Sequence, residues 1–286
     1  METGRSGKRP NHLHERLLLA GLCLAVGLVC GCSQEGFIFY PEKLPSDYRF
    51  DFSVPFEEIT LPVEGAAINA LLFKAAKPRG VVLYFHGNAG SLRSWGDVAV
   101  EFTGRDYDIL IPDYRGFGKS TGSITSEAAL LQDGTAAYEF LARHYPEDRI
   151  VLYGRSIGTG IATHIAGIKQ PKALILESPY FNLMDVASHH YPLIPVSLLE
   201  AFLRYPLRTD RWIAKVPCRI YIFHGTADTT IPYRASERLL QLCKDRGRLI
   251  RLEGGDHNNL ADFALYQEQL GMILREGAVP QTERRE

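Results

Sequence analysis

The spacing G-x-S-x-G occurs twice in this chain, and its chemical meaning is steric. A serine on a sharp strand-to-helix turn has strained backbone, and glycines two positions to either side let neighbouring chain pass close by. The hydroxyl is then lifted clear of the sheet toward substrate. Gly154-Arg155-Ser156-Ile157-Gly158 meets that need. It directly follows an apolar stretch and opens a run with Gly160 and Ala162, which can pack tightly as a helix. The second copy, Gly118-Lys119-Ser120-Thr121-Gly122, lies well past its nearest apolar stretch, in a glycine-rich turn, and Ser120 reads as a loop residue. Gly118-Lys119-Ser120 also mimics the end of a phosphate-binding loop. The glycine such a loop needs at its start is replaced by Asp113, so nucleotide binding is not expected.

A serine hydroxyl needs a base, and histidine titrates near neutrality. On elbows of this kind the partners follow in the chain order serine, acid, histidine. His257, in Gly254-Gly255-Asp256-His257-Asn258, is the last of the 9 histidines and follows the last strand-like stretch. His144 and His164 fall in helical stretches, His189 and His190 in an aromatic and proline-rich insertion. His86 follows a strand-like stretch, as does His224, which is next to Gly225 in a turn. Asp228, in His224-Gly225-Thr226-Ala227-Asp228, stands after a strand between serine and base and is the expected acid. Glu177, Asp185 and Asp256 are its rivals, although a sequence neighbour such as Asp256 rarely turns back onto the imidazole. The developing oxyanion needs two preorganised N–H donors. Ile157, at a helix start, is expected to supply one. The other is expected from the backbone of Asn88, in His86-Gly87-Asn88-Ala89-Gly90, unless that stretch is only a tight turn.

These residues need a scaffold that brings strand ends together. Strand-like runs are read at 58–62, 67–74, 80–85, 107–112, 149–153, 172–176, 219–223 and 248–252, the first two forming a hairpin around Glu64-Gly65. Helical stretches are read at 126–144, 157–168, 233–244 and 261–275. Continuous apolar strands separated by helices imply a parallel, doubly wound α/β sheet buried on both faces, with ligands beyond the carboxyl ends of the strands. Residues 180–214, rich in proline and aromatics, break the alternation and are expected to form a short helical lid, or else a plain helix pair packed on the sheet.

The N-terminus has another logic. Arg5, Lys8, Arg9 and Arg16 precede an apolar run at 17–29, too short for a membrane span, which ends in Val29-Cys30-Gly31-Cys32. A small residue directly before a cysteine resembles a bacterial lipoprotein signal, in which Cys32 becomes the lipidated first residue. A plain signal peptide or a short anchor is the alternative. The expected division is 1–31 signal, 32–55 linker, 56–276 α/β domain and 277–286 tail. The protein is then expected to be exported and held at a membrane of a bacterial cell envelope. Cys218 and Cys243 remain in the mature chain and are able to pair if their Cα atoms come within reach. The net charge of −1 offers no electrostatic case for nucleic acid.

The stretches 86–90, Asp113-Tyr114-Arg115-Gly116-Phe117-Gly118-Lys119-Ser120, 154–158, 224–228 and Gly255-Asp256-His257-Asn258 resemble, in order, the motifs of the α/β-hydrolase superfamily. The likeness runs over about residues 56–274 and is nearest to the membrane-associated branch of protein depalmitoylases and related serine esterases. It implies an esterase or thioesterase acting on small acyl substrates, with neither cofactor nor metal. It also puts the second G-x-S-x-G in a structural turn. The depalmitoylases of that branch are anchored through an N-terminal cysteine cluster, so their substrate is not carried over to a chain with a lipoprotein-like start. A serine peptidase on the same fold and a non-catalytic lipoprotein scaffold are the alternatives.

Overall fold

The computed structural model describes residues 34–275. The expected signal, Cys32 and the C-terminal tail lie outside the described residues. β2 (Phe56–Val63) and β3 (Ala66–Phe73) form the expected hairpin, with Gly65 at φ +72° in its turn. Then come β4 (Gly80–Phe85), β6 (Tyr107–Pro112), β7 (Ile150–Arg155), β8 (Ala173–Glu177), β9 (Arg219–Gly225) and β10 (Gly247–Leu252). They make one eight-stranded sheet in the order β10-β9-β8-β7-β4-β6-β3-β2. β2, β3 and β6 pair antiparallel, and every other pair in the sheet is parallel. β4, β6 and β8 are buried along their whole length, as strands covered on both faces must be.

Helices close both faces. α4 (Glu127–Ala142), α5 (Gly158–Ala166) and α9 (Arg234–Cys243) contribute Leu130, Ile161, Ile165 and Leu239 to one core layer. α2 (Leu92–Trp95), α3 (Ala99–Thr103) and α10 (Ala264–Arg275) contribute Leu92, Phe102 and Leu270 to the other. Burying one such side chain stabilises by about 1.5–3 kcal/mol. Gly134 lets α4 close on α5, since a Cβ there would lie 2.7 Å from Ile161 Cγ2. Ser126 caps α4 by accepting from the Ala129 N–H. α2 and α3 occupy a stretch where the sequence shows no clear helical period. They are only four and five residues long, too short for a period to register.

The chain runs from β4 outward to β6, then returns to place β7 on the other side of β4. The crevice at the carboxyl ends of β4 and β7 is therefore a topological switch point, where open α/β sheets take their ligands. The insertion at 180–214 folds as α6 (Leu183–His190), α7 (Val196–Phe202) and α8 (Thr209–Trp212). Residues 34–48 lie across the same end of the sheet. They hold α1 (Glu35–Ile38) and β1 (Tyr40–Pro41), which pairs in parallel with β5 (Ala89–Gly90). Phe50 and Phe52 then stack down toward Phe73, the latter pair 5.3 Å apart. Cys218 and Cys243 do not pair: both are free thiols, and Cys243 is buried with its Sγ donating to Leu239 O.

Candidate active site

Ser156 directly follows β7 in the left-handed region, at φ +52°, a conformation that a non-glycine residue adopts only under strain. The flanking glycines explain how the turn fits. A Cβ on Gly154 would lie 2.5 Å from Gly158 O, and one on Gly158 would lie 2.1 Å from Phe85 O. The elbow is thus wedged against the end of β4. The Ser156 N–H donates to Glu177 O at 2.9 Å, tying it to β8 as well.

Three side chains from different strand ends meet there. Ser156 Oγ lies 3.0 Å from His257 Nε2, and His257 Nδ1 lies 2.8 Å from Asp228 Oδ2. The tautomer that satisfies both contacts carries its proton on Nδ1, so that the ring donates to the carboxylate and accepts from the serine. Asp228 Oδ1 accepts the N–H groups of Thr230 and Ile231 at 2.9 and 2.8 Å. Burial pushes the Asp228 carboxyl up. Hydrogen bonds from His224 and His257 and from the Ile231 N–H outweigh burial and hold it well below the usual carboxylate range. His257 is carried by a loop packed on the Asp228 turn. A Cβ on Gly225 would lie 2.1 Å from Gly255 O, and Gly255 O accepts from the Ala227 N–H at 2.9 Å.

The rivals are engaged elsewhere. Asp185 pairs with Arg238 at 2.5 Å and Glu177 with Arg155 at 3.1 Å, and Asp256 accepts from the backbone N–H of His257 at 2.6 Å. Ser120 is a buried loop residue, its Oγ accepting from the Asn69 N–H and donating to Asp113 O.

Ile157 sits at the start of α5, directly after the serine. The turn holding Asn88 is fixed from the other side. Asn88 Nδ2 donates to Ile38 O at 2.8 Å, and Asn88 O accepts from the Tyr40 N–H at 2.8 Å. Neither the Ile157 nor the Asn88 N–H donates to a backbone carbonyl among the described residues. His86 supports this turn from below. It is fully buried, tilted on Tyr114 at 4.3 Å and stacked on Trp95 at 5.5 Å, with Nε2 3.3 Å from Asp113 Oδ1.

Two residues escape a reading of the sequence alone. His224 is buried with Nε2 3.2 Å from Asp228 Oδ2 and 2.9 Å from Ile231 O, while Nδ1 lies 2.6 Å from Ser236 Oγ. Two acceptors at Nε2 fix its proton there, so it is a second imidazole donor to the same carboxylate. Arg155, the variable residue of the elbow motif, reaches across to the base. It lies 5.0 Å over the Trp95 ring and donates to Asn258 Oδ1 at 3.0 Å and to His257 O at 3.3 Å. The available signal was a charge at the end of a wholly apolar strand, and a histidine four positions before the acid.

A family model described as "Serine aminopeptidase, S33" matches residues 76–204. An uncharacterized protein of Mycobacterium tuberculosis, Rv2307c, is 33% identical over 202 residues, covering 69% of this chain and 70% of that protein. The lysophosphatidylserine lipase ABHD12 of Danio rerio is 31% identical over 189 residues, 59% of this chain and 48% of the relative. The solved structure of the Pyrococcus furiosus esterase Pf2001 superposes with a TM-score of 0.68 at 18% identity, covering 84% of this chain and 98% of its own. Sheet order, serine elbow, motif order and these likenesses agree, and the chain belongs to the α/β-hydrolase family.

Proposed function

We propose that this chain is a serine hydrolase that cleaves carboxylic ester or thioester bonds of acyl substrates through an acyl-enzyme. The observation that carries this is the unbroken line from Ser156 Oγ through His257 to Asp228, at 3.0 and 2.8 Å, starting from a strained left-handed serine. Ser156 Oγ attacks the carbonyl carbon while its proton passes to His257 Nε2. The carbonyl electron pair moves onto oxygen, which the Ile157 and Asn88 N–H groups stabilise. Collapse expels the alcohol or thiol, which takes the proton from His257. Water, deprotonated by the same imidazole, then releases the acid and restores the serine. Asp228 stays ionised and holds the imidazole tautomer. Likeness to a lysophosphatidylserine lipase supports an acyl ester as substrate. An N-terminal lipid at Cys32 would keep the enzyme at a bacterial envelope membrane, beside such substrates.

The test is fluorophosphonate labelling of the purified protein, followed by a panel of esters and thioesters graded in acyl length. Labelling and turnover should both vanish in Ser156→Ala. A Ser156→Ala protein with undiminished turnover refutes the assignment, and a wild-type protein that takes up no probe points to a non-catalytic scaffold. The family model's description favours one other reading, a serine aminopeptidase. Cleavage of peptides with a free N-terminus at a higher kcat/KM than any ester would establish it.

A further inference from the structure

Two segments beside the candidate site expose large apolar side chains. Among the described residues, Phe37, Tyr40, Tyr191, Leu193, Val196 and Phe202 are all large hydrophobics left exposed, with Leu193 at 87%. They fall in two segments. One is the N-terminal strap of α1 and β1. The other is residues 191–203 of the insertion, where Glu200 is the single charged residue. The two segments are joined. Gln34 donates through its side-chain amide to Phe202 O and accepts from the Arg204 N–H, and Phe39 of the strap packs edge-on to Tyr205 at 5.7 Å.

They also flank the chemistry on both sides. The strap holds Asn88 through Ile38 O and the Tyr40 N–H. On the other side, His190, directly before Tyr191, has Nε2 3.0 Å from Thr230 O, in the turn that donates to the Asp228 carboxylate. An apolar rim beside a site is costly in water and marks a surface that meets something apolar. The chain itself indicates what. Cys32 stands two residues before Gln34, whose buried side chain fastens the strap to the end of α7, and the apolar run at 17–29 comes just before it.

We infer that this rim is a membrane-docking surface, which seats the mouth of the site on a lipid bilayer. Acyl chains then enter from the leaflet rather than from solution. Leu193 and Val196 dip into the acyl boundary, and Tyr40 and Tyr191 suit the headgroup level, where amphipathic rings settle. The consequence for rate rests on the acyl-hydrolase reading above. The docking itself does not.

Full-length protein reconstituted in phosphatidylcholine vesicles, with and without brominated phosphatidylcholine, tests the docking alone. Leu193→Trp adds an emitter on the rim. Ile168→Trp adds one at an exposed site just past the far end of α5. Bromolipid should quench the added emission of Leu193→Trp by at least about twofold more than that of Ile168→Trp, since quenching requires insertion to acyl depth. Equal quenching overturns the inference whatever the enzyme hydrolyses. Next, Leu193→Asp/Val196→Asp should lower hydrolysis of a long-chain ester dissolved in the vesicles about tenfold, while fluorophosphonate labelling in solution stays at the wild-type rate. Unchanged hydrolysis of the vesicle ester overturns the inference. If no acyl ester is cleaved by the wild type, the quenching result still decides the docking, and only the acyl reading falls.

Discussion

Removing the Arg155 side chain should cost the protein both stability and catalysis, and the two losses should be separable. Arg155 and Glu177 form a buried pair at 3.1 Å, their side chains 16% and 7% exposed. Glu177 also accepts from the Tyr153 hydroxyl, which touches Tyr266 at 2.7 Å, so this carboxylate is set in an aromatic layer with little water. Stranding one partner of such a pair costs about 3–5 kcal/mol. Arg155→Met keeps the volume and removes the charge, so it should fall in that range. The lost hydrogen bond to Asn258 Oδ1 adds about 1 kcal/mol. At about 2–4 °C per kcal/mol for a chain of this size, the melting temperature should fall by about 8–24 °C. Arg155→Met/Glu177→Met removes both charges and should recover most of the stability, because a buried pair replaced by apolar groups is often neutral. Turnover should not recover. The guanidinium holds the loop of the base, through His257 O and Asn258, and nothing in the double variant replaces that hold. A displacement of about 1 Å at the base costs about a hundredfold in rate. Thermal melts and ester kinetics on the four proteins of the cycle make the measurement. A single Arg155→Met variant that melts with the wild type, or a double variant with restored turnover, refutes the reasoning.

Asp228 has its folded pKa depressed, so its charge stabilises the fold above the ordinary carboxylate range near 4, and that contribution is lost as pH falls through the depressed value. The stability gap between wild type and Asp228→Asn, read from denaturant melts, should therefore be constant from pH 8 to about 5 and shrink below about 4; a gap that widens toward acid contradicts the assignment. The thiols should be inert. Burial pushes Cys218 up to about 12 and Cys243 up to about 11, so iodoacetamide at neutral pH should modify neither in the folded protein and both after denaturation, as counted by intact-mass shift.

Much of the site is legible from one sequence because its parts stand at strand ends. Ser156, Asp228 and His257 each follow an apolar stretch with a turn signature, and a parallel sheet carries all such ends to one edge whatever the strand order. The steric demand of the elbow likewise excluded Ser120, which the structure uses as a loop tie between Asn69 and Asp113. The strand order had no such local trace. That β4 lies between β6 and β7 follows from how helices of given length pack back onto the sheet, a property of the whole domain.

Which residues could react, and their order along the chain, are local properties, because backbone strain and periodicity are local. What holds them in place comes from the folded domain. The hold of Arg155 on Asn258, the second imidazole on Asp228, and the grip of Gln34 on the end of α7 join residues 103, 4 and 168 positions apart. Such contacts depend on sheet register and loop approach, which fix separations in space that no spacing along the chain encodes.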